Sequence, residues 1–300
     1  MAILIRQALE SDRAAMKHIA ALTWGGEDYL PQVLDEWLTE PEGRFFVACD
    51  TALAGEPVVG MGRLTRFGEG EWWLEAIRVA PDRYQQGIGR TLHNALVAQA
   101  EAVGSGVLRM ATGGSNTAIH KLAAATDFVQ AGNYVFYRAD PIALSFAETF
   151  RPLVEDDLPE ARHLLAHSPY FQAAGCSLEQ DWRWMMITDE RLHERMAQAL
   201  LYGWYPAAGH LTGLVILTPA SPAAPGRIPM LNVAYLDAAV GELANMAQAV
   251  RGLAAKLGFR KIQMHFCALP ERLVAMEQAG WRRRRQDEIH LFSRRLTDKL

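Results

Sequence analysis

Cysteine is scarce in this sequence, which has Cys49, Cys176 and Cys267 as its only cysteines in 300 residues. Their wide spacing excludes both a disulfide framework and paired metal ligands, so no metal site is expected. Long apolar runs are also missing, since none approaches the roughly 18 residues that a membrane-spanning helix needs. The N-terminal stretch MAILIRQALESD turns acidic after a short apolar run, unlike a signal peptide. We therefore expect a cytoplasmic protein that does not associate with membranes.

A strong charge of either sign is lacking as well. The chain has 30 Lys and Arg against 34 Asp and Glu, which gives a formal net charge of −4. A net charge this small and negative does not favour nucleic acid or an anionic membrane as the main partner. Half of the residues are hydrophobic, enough for the cores of two ordinary domains. We expect a small-molecule partner, with the chain acting as a monomer or a homodimer.

The two halves of the sequence follow one plan. Residues 5–12 can be aligned with residues 150–157, so that an arginine, a glutamate and the final aspartate coincide. Further on, the segment 104–110 resembles 258–264, a helix end followed by a strand. Chance similarity between two α/β stretches is the alternative, but the conserved order of several elements favours duplication. The break at Asp140-Pro141 then predicts domains over 1–142 and 143–300.

The pattern of strands and helices predicts an α/β (α+β) fold. Strands are expected over 44–49, 57–66, 71–79, 107–112 and 134–139, with helices over 87–103 and 117–126. Short turns between neighbouring strands indicate antiparallel pairs, whereas a strand–helix–strand order indicates a parallel pair. Each half should therefore form a mixed, mostly antiparallel sheet flanked by helices.

The segment Trp72–Arg90 carries the clearest chemical signal. Alternating, mostly apolar side chains over 72–79 predict a partly buried strand, and residues 91–102 have helical spacing. Between them, Gly87 and Gly89 allow a tight turn and leave backbone amides uncovered at a helix N-terminus. Such amides can hold phosphate, and Arg90 adds a charged donor. The alternative is a tight turn without a ligand. A Rossmann fingerprint and a nucleotide P-loop are both excluded by the missing third glycine and Gly-Lys-Ser/Thr.

The combination of motifs resembles the GNAT superfamily of N-acetyltransferases. The strand that ends Ile77-Arg78-Val79, followed by Gln86-Gly87-Ile88-Gly89 and a helix, looks like the main cofactor motif of that family. A second motif agrees, with Asn116 opening a helix that closes on Asp127-Phe128. The resemblance covers residues 1–140, and the repeat extends it to two tandem GNAT-like domains.

The resemblance implies acetyl-CoA as the cosubstrate and N-acetylation as the reaction. Backbone groups near Ile77–Val79 would pair with the pantetheine arm and polarise the thioester carbonyl. Asn116 would hydrogen-bond the same arm, with a helix N-cap as the competing role. The expected cofactor-binding residues are Ile77, Arg78, Val79, Gln85, Gln86, Gly87, Ile88, Gly89, Arg90 and Asn116.

Glu75 is the predicted general base, because an amine must lose a proton before it attacks the thioester. The two-residue period of a strand would place it on one face with Ile77 and Val79. An ordinary carboxylate paired with an arginine is the alternative. The family often presents a tyrosine that protonates the leaving thiolate, but Ala123 holds the matching position here. Tyr134 is the predicted stand-in acid, with strand packing as its alternative.

The acceptor is predicted to be a small amine such as an amino acid. The loop from Trp24 to Pro31, together with Trp73-Leu74-Glu75, resembles a GNAT branch that includes histidine N-acetyltransferases. An aspartate among aromatic rings suits a cationic amine, whereas aromatic packing of the loop is the alternative. The predicted substrate-binding residues are Trp24, Asp28, Tyr29 and Trp73.

The second half should have lost the cofactor site. Its corresponding turn, Asp237–Glu242, keeps one glycine and places two carboxylates where phosphates would lie, which would repel them. Residues 143–300 are therefore predicted to form a degenerate GNAT-like domain. Two functions remain open: an acetyl-CoA-dependent N-acetyltransferase of a small amine, or an acyl-CoA-binding sensor without turnover.

Overall fold

The computed structural model describes residues 2–26, 28–40, 44–146, 148–206, 209–218, 228–284 and 288–296. Internal contacts divide the chain into two units. The first comprises Met1–Met110, Thr117–Val129 and Phe292–Leu300, and the second comprises Ala111–Asn116 and Gln130–Leu291. The domain limits that the internal repeat predicts, 1–142 and 143–300, remain a prediction.

The first unit is built from five strands and four helices of the first half. It also includes residues 292–296, the end of the last strand of the chain. In chain order these are β1 (Ile3–Gln7), α1 (Arg13–Ala21), α2 (Leu30–Thr39), β2 (Arg44–Asp50), β3 (Val58–Gly68), β4 (Glu71–Val79), α3 (Ile88–Val103), β5 (Gly106–Gly113) and α4 (Thr117–Ala125). The strand order is β1-β2-β3-β4-β5, antiparallel except for the parallel pair β4–β5. The predicted strands and helices of this half are confirmed to within a few residues.

The second unit contains the remaining elements, except that residues 292–296 of the last strand belong to the first unit. They are β6 (Val129–Ala139), β7 (Phe150–Pro152), α5 (Leu158–His167), α6 (Pro169–Ala173), β8 (Ser177–Gln180), β9 (Arg183–Met186), α7 (Asp189–Ala197), β10 (Leu201–Trp204), β11 (Gly213–Leu217), β12 (Met230–Ala238), α8 (Val240–Lys256), β13 (Lys261–Cys267), α9 (Pro270–Gln278), β14 (Arg282–Arg283) and β15 (Ile289–Leu296). The strand order is β6-β13-β12-β11-β10-β7, with β14 also paired to β6. Only β12–β13 is parallel among these registers, so the predicted mixed, mostly antiparallel class is confirmed.

Both halves open with the same hydrogen-bonded device. The Arg6 guanidinium donates to both oxygens of Asp12, at 2.7 and 2.8 Å, and Asp12 also accepts from the Leu9 amide. Arg151 donates in the same way to Asp157, at 2.8 and 3.1 Å, and Asp157 accepts from the backbone amide three residues before it. In each half the aspartate fixes the turn between a strand and a helix. The predicted alignment of residues 5–12 with 150–157 is therefore confirmed.

The sheet of the first unit is covered on both faces, which explains the nearly continuous burial of β3 and β4. One core contains Leu64, Trp72, Leu74 and residues of α3 and α4, including Leu96. The opposite core contains residues of α1 and α2 packed against Met61 and Ala76. Apolar residues on both faces of a strand are what a fully covered sheet requires. Among the described residues, no helix is long and apolar enough to cross a membrane.

Candidate active site

The two parallel strands of the first unit separate along their length. β4 pairs with β5 only over residues 71–73, opposite 107–109. From Leu74 to Val79, β4 remains paired with β3 on its other edge but has no β5 partner in its register within the described residues. Backbone N–H and C=O groups along this edge can therefore pair with an extended ligand instead of a strand.

A β-bulge lies in the middle of β4, at Ala76. The register advances by two residues on β3, from Met61 to Arg63, and by three on β4, from Arg78 to Glu75. Ala76 has a φ of 59°, a left-handed conformation that is uncommon for a residue other than glycine and that occurs in one type of β-bulge. Because a bulge adds one residue, it interrupts the alternation of side chains between the two faces.

The bulge corrects one prediction about Glu75. Ile77 packs into the core with α3, and Val79 packs with Ile88 and Leu92 of the same helix. Glu75 instead contacts Thr65 of β3, the residue that is paired with Trp73 of β4. The prediction that Glu75 shares a face with Ile77 and Val79 was wrong, because the two-residue period does not continue through Ala76.

The Glu75 carboxylate is held by two residues of β3. The Thr65 hydroxyl donates to Glu75 Oε1. Arg63 is the direct cross-strand partner of Glu75, and its Nε lies 3.7 Å from Oε1 while donating to Thr65 Oγ1 at 2.8 Å. The Arg63 guanidinium also pairs with Glu40 and lies 4.4 Å from the centre of the Trp37 ring. The Glu75 side chain keeps only 8% of its exposure, so these contacts fix its orientation.

Sequence reasoning missed Arg63 and Thr65. The available signal was an arginine within Val58–Leu64, a stretch otherwise made of apolar residues and glycine. A buried arginine requires hydrogen-bonding partners, so it predicts a polar cluster inside the sheet. The identity of that cluster depends on strand register, which the sequence pattern does not specify.

The turn between β4 and α3 presents a row of backbone amides. Gln85 and Gly87 both adopt left-handed backbone conformations, with φ of 62° and 83°. In the described part of the chain, the amides of residues 86–89 donate to no main-chain or side-chain acceptor. These N–H groups lie at the positive end of the α3 dipole, which makes the turn an anion-binding site.

The side chains around the turn leave room for an anion. A Cβ built at Gly89 would lie 3.7 Å from Val79 Cγ2, an ordinary contact, so packing within the protein does not require glycine there. A Cβ at Gly87 would lie 3.6 Å from Arg90 Nη2, which places that guanidinium beside the turn. Residues Gln85, Gln86 and Arg90 are exposed. This arrangement fits the pyrophosphate of a coenzyme A molecule, with Gln85–Arg90 as the residues that would hold it.

The predicted acceptor loop is organised around an arginine of the chain itself. Asp28 is buried and accepts hydrogen bonds from Arg78 Nε at 2.8 Å and from Arg78 Nη2 at 3.3 Å. The Arg78 guanidinium also lies 4.2 Å from the centre of the Trp24 ring and 5.7 Å from that of Tyr29. The carboxylate and the aromatic rings that were predicted to recognise a cationic amine therefore contact an internal cation. Trp24 remains 63% exposed.

The other predicted residues have the following surroundings. Trp73 is buried and stacks on Phe67, with ring centres 6.3 Å apart. Asn116 and Tyr134 belong to the second unit, where Asn116 donates to Thr112 and the Tyr134 hydroxyl donates to the Ala174 carbonyl at 2.7 Å. Ala123 is completely buried in the core of the first unit. The Tyr134 bond agrees with the packing alternative, and its role as an acid stays a prediction.

The corresponding region of the second unit is built differently. β12 ends at Ala238 and α8 begins at Val240, so one residue replaces the turn that spans 80–87 in the first half. Asp237 is buried and accepts from Arg272 Nη1 at 2.6 Å and from the Ser168 hydroxyl. Glu242 accepts from the Trp204 indole at 3.0 Å. The interpretation that these two carboxylates face an open phosphate site was wrong, because both have partners within the protein. The amide-rich turn of the first half has no counterpart here for a simpler reason, because a single residue joins β12 to α8.

No group of three or more His, Cys, Asp or Glu side chains that could hold a metal ion occurs among the described residues. The candidate site thus consists of the divergent edge of β4, the amide-rich turn before α3, and the Glu75 carboxylate. All three belong to the first unit.

Comparison with known proteins places this site in a family context. Residues 12–128 match the sequence model of the family described as the acetyltransferase (GNAT) family. No curated protein is similar enough in sequence to count as a match. The chain is similar in structure to a GCN5-related N-acetyltransferase from Sphaerobacter thermophilus, with a TM-score of 0.64, 12% identity, and coverage of 99% of this chain and 97% of that one.

Two further solved structures show the same fold. A tandem GNAT protein from the clavulanic acid biosynthesis pathway has a TM-score of 0.52 and 14% identity, with 100% of both chains covered. A GCN5-related N-acetyltransferase from Anabaena variabilis has a TM-score of 0.52 and 14% identity, with 99% of this chain and 73% of that chain covered. At these identities the likeness establishes the GNAT fold. The predicted resemblance to that superfamily is confirmed at the level of fold.

Proposed function

We propose that the first half of the chain is an acetyl-CoA-dependent N-acetyltransferase that acts on the amino group of a small molecule. The observation that carries this proposal is the turn before α3. Its amides at residues 86–89 have no acceptor in the described chain, and it follows directly on the unpaired edge of β4. The match of residues 12–128 to the GNAT family supports the same reading.

The cofactor would be held mainly by backbone groups. The amides of Gln85–Arg90 would bind the pyrophosphate, with the Arg90 guanidinium as an additional cation. The free edge of Ile77–Val79 would pair with the pantetheine arm, and Asn116 is proposed to hydrogen-bond it. When bound, acetyl-CoA supplies a thioester whose acetyl group can pass to nitrogen. A backbone N–H of Ile77–Val79 directed at the carbonyl oxygen would stabilise the negative charge that develops there.

Glu75 is the proposed general base. A free amine is largely protonated near neutral pH, so its nitrogen must lose a proton before it can attack. The carboxylate can take this proton directly or through one water molecule. Thr65 and Arg63 would act as positioning residues, because they fix the carboxylate without themselves touching the acceptor.

The acceptor is proposed to be an amino acid or another small amine, and kinship with the histidine N-acetyltransferase branch remains part of this proposal. Trp24, Tyr29 and Trp73 would supply the aromatic walls of the pocket. Asp28 would act indirectly, because its carboxylate holds Arg78 under the Trp24 ring. An acceptor that carries a carboxylate beside its amine could use the Arg78 guanidinium as its partner.

A second candidate function is an acyl-CoA sensor without turnover. The observation that favours it is the buried Ala123 at the position of the usual acid, together with the Tyr134 hydroxyl bonded to a carbonyl. A sensor would need the cofactor turn but no group that protonates the leaving thiolate.

The two functions are separated by measuring thiol release from acetyl-CoA with a panel of amino acids and polyamines. The enzyme predicts release that saturates with at least one amine and an acetylated product of matching mass. Binding of acetyl-CoA without turnover on any acceptor would support the sensor. Absence of both binding and turnover would contradict both proposals.

A further inference from the structure

A basic cavity in the second unit has no role in the proposed acetyl transfer. Its volume is about 230 Å³, and its charged lining consists of Arg138, Arg251, Lys261, Arg282, Arg284 and Asp140. These side chains come from β6, α8, β13 and β14 and from the segments that follow β6 and β14. Five cations thus share one carboxylate among the described residues of the lining. We refer to it as the arginine cavity.

The strand pairing brings two of these cations into direct opposition. Arg138 of β6 and Arg282 of β14 are cross-strand partners in an antiparallel register. Like charges in this position destabilise a sheet. Arg138 Nε has only a neutral acceptor, Gln263 Oε1 at 3.3 Å, in the described contacts. Arg282 is exposed to solvent, and an anion bound between the two arginines would offset their repulsion.

The two arginines of β14 and Arg284, which follows it, differ in their surroundings. Arg282 and Arg284 are two residues apart and line the arginine cavity, and the Arg284 amide continues the ladder to β6 by donating to Phe136. Arg283, between them, lies outside the lining and donates to Glu288 at 3.1 Å. Within the described residues, neither Arg282 nor Arg284 forms an ion pair. Of these three arginines, the two that line the cavity are therefore the ones for which the described residues provide no carboxylate partner.

Arg251 is fixed in place before any ligand binds. Its Nε donates to the Asp140 carbonyl at 2.8 Å and its Nη1 to the Ala279 carbonyl at 2.6 Å, so both acceptors are neutral. A Cβ built at Gly280 would lie 2.4 Å from Arg251 Nη1, so glycine is required for the guanidinium to occupy this position. Burial lowers the pKa of Arg251, the charge of Asp140 raises it in part, and the charge of Arg282 lowers it. Burying the charge of Arg251 therefore costs free energy in the folded state.

The single carboxylate is occupied by the lysine. Asp140 pairs with Lys261, and this hydrogen bond lowers the pKa of Asp140, with smaller contributions from the charges of Lys261, Arg282 and Arg251. Four arginines remain without a carboxylate of their own in the lining. Arginine guanidinium groups bind phosphate through paired N–H donors, and several of them suit an anion with more than one charge.

We propose that the arginine cavity binds a small phosphate-class anion with two or more negative charges, such as pyrophosphate or a phosphomonoester. The volume corresponds to about eight water molecules at about 30 Å³ each, which accommodates such an anion but not a folded macromolecule. The proposal is independent of acetyl transfer, since none of the lining residues belongs to the candidate active site.

The test is a calorimetric titration of the full chain with pyrophosphate, at an ionic strength held constant with sodium chloride. Wild type should bind, and Arg282→Gln should weaken the affinity by roughly tenfold or more, since a charge-assisted contact is lost. Arg283→Gln is the matched control. It removes the same charge from the adjacent residue of the same strand, and it should leave the affinity unchanged.

A second readout separates a binding role from a structural one. Without phosphate at low salt, Arg282→Gln should melt at a temperature equal to or higher than wild type, because it relieves the repulsion with Arg138. Pyrophosphate should then raise the melting temperature of wild type and of Arg283→Gln, but not that of Arg282→Gln. A ligand-free Arg282→Gln that melts well below wild type would contradict the proposal, because the arginine would then be part of the fold's own stability.

Further outcomes would overturn the assignment of ligand or place. Equal weakening by Arg282→Gln and Arg283→Gln would indicate a general effect of surface charge. Loss of pyrophosphate binding in Gly89→Ala, with none in Arg282→Gln, would assign the anion to the turn before α3. If citrate bound more tightly than pyrophosphate and its binding depended on Arg282, the ligand would not be a phosphate-class anion. Tighter Arg282-dependent binding of a ten-nucleotide single strand, or of vesicles rich in phosphatidylserine, would assign the surface to a macromolecule instead.

Discussion

Arg63 and Glu75 are direct cross-strand partners on β3 and β4, with Arg63 Nε 3.7 Å from Glu75 Oε1. Thr65 links them, because its Oγ1 accepts from Arg63 Nε while its hydroxyl donates to Glu75. The bulge at Ala76 follows immediately and turns the rest of β4 toward α3. A fixed carboxylate and a free strand edge therefore come from adjacent residues of one strand.

Replacing Glu75 by Gln should lower the rate of acetyl transfer by roughly a hundredfold at neutral pH, because the amide cannot accept the proton of the amine. The rate of thiol release over a range of pH is the measurement. Glu69→Gln is the control, since it makes the same change at an exposed position in the turn before β4. An unchanged pH–rate profile in Glu75→Gln would show that Glu75 is not the general base.

Replacing Thr65 by Val should lower the rate by roughly tenfold, because the Glu75 carboxylate loses the hydroxyl that orients it. The two side chains have similar shapes, and the valine lacks only the donor. The effect should fall on kcat, with the KM for the amine nearly unchanged. Thr65→Ser, which keeps the hydroxyl, should restore most of the rate. Equal losses in the serine and valine variants would indicate a packing role.

Replacing Gly89 by Ala should weaken acetyl-CoA binding by tenfold or more, because the added methyl group would occupy the space of the phosphate. The fold should not suffer, since the Cβ makes only an ordinary contact and alanine favours a helix over glycine by up to about 1 kcal/mol. Calorimetry and urea unfolding give the two quantities separately.

Gly241 provides the matched control for that experiment. It is the second residue of α8, as Gly89 is the second residue of α3, and a Cβ there would meet nothing within 4 Å. Gly241→Ala should give a comparable gain in helix stability with no change in acetyl-CoA affinity. Weaker binding in Gly241→Ala alone would place the cofactor in the second half.

The stability of the first unit should fall in mildly acidic solution because of His93. Its side chain is completely buried, its Nε2 lies 2.8 Å from Thr126 Oγ1, and burial lowers its pKa to about 4, with a further contribution from Arg294. The unfolded chain binds the proton at a pKa near 6.5. Between these values only the unfolded state is protonated, so the free energy of unfolding should decrease as the pH falls from about 6.5 to about 4.

Urea unfolding at several pH values measures this effect. His93→Gln should lose the part of the pH dependence that belongs to this side chain, a difference on the order of 3 kcal/mol across the window. A variant with the same pH dependence as wild type would show that His93 is not the group responsible.

The local chemistry of the site was predictable, whereas its long-range contacts were not. The strand 71–79 and the helix after Gly87 follow from alternation, helical spacing and glycine, all of which act between neighbouring residues. The left-handed φ of Ala76 arises from pairing with β3, so no local pattern indicates it. Asp28 and Arg78 are 50 residues apart in sequence, and their pairing depends on the packing of the loop. The short β12–α8 connection was misread because the carboxylates on either side of it, Asp237 and Glu242, are hydrogen-bonded to distant partners.

The central claim is that each chain has one acetyl-CoA site and that this site lies in the first half. Calorimetric titration of the full chain with acetyl-CoA tests it most directly. We predict one molecule bound per chain in wild type and in Gly241→Ala, with binding weakened at least tenfold in Gly89→Ala. Two molecules bound per chain, or full binding in Gly89→Ala, would contradict the claim.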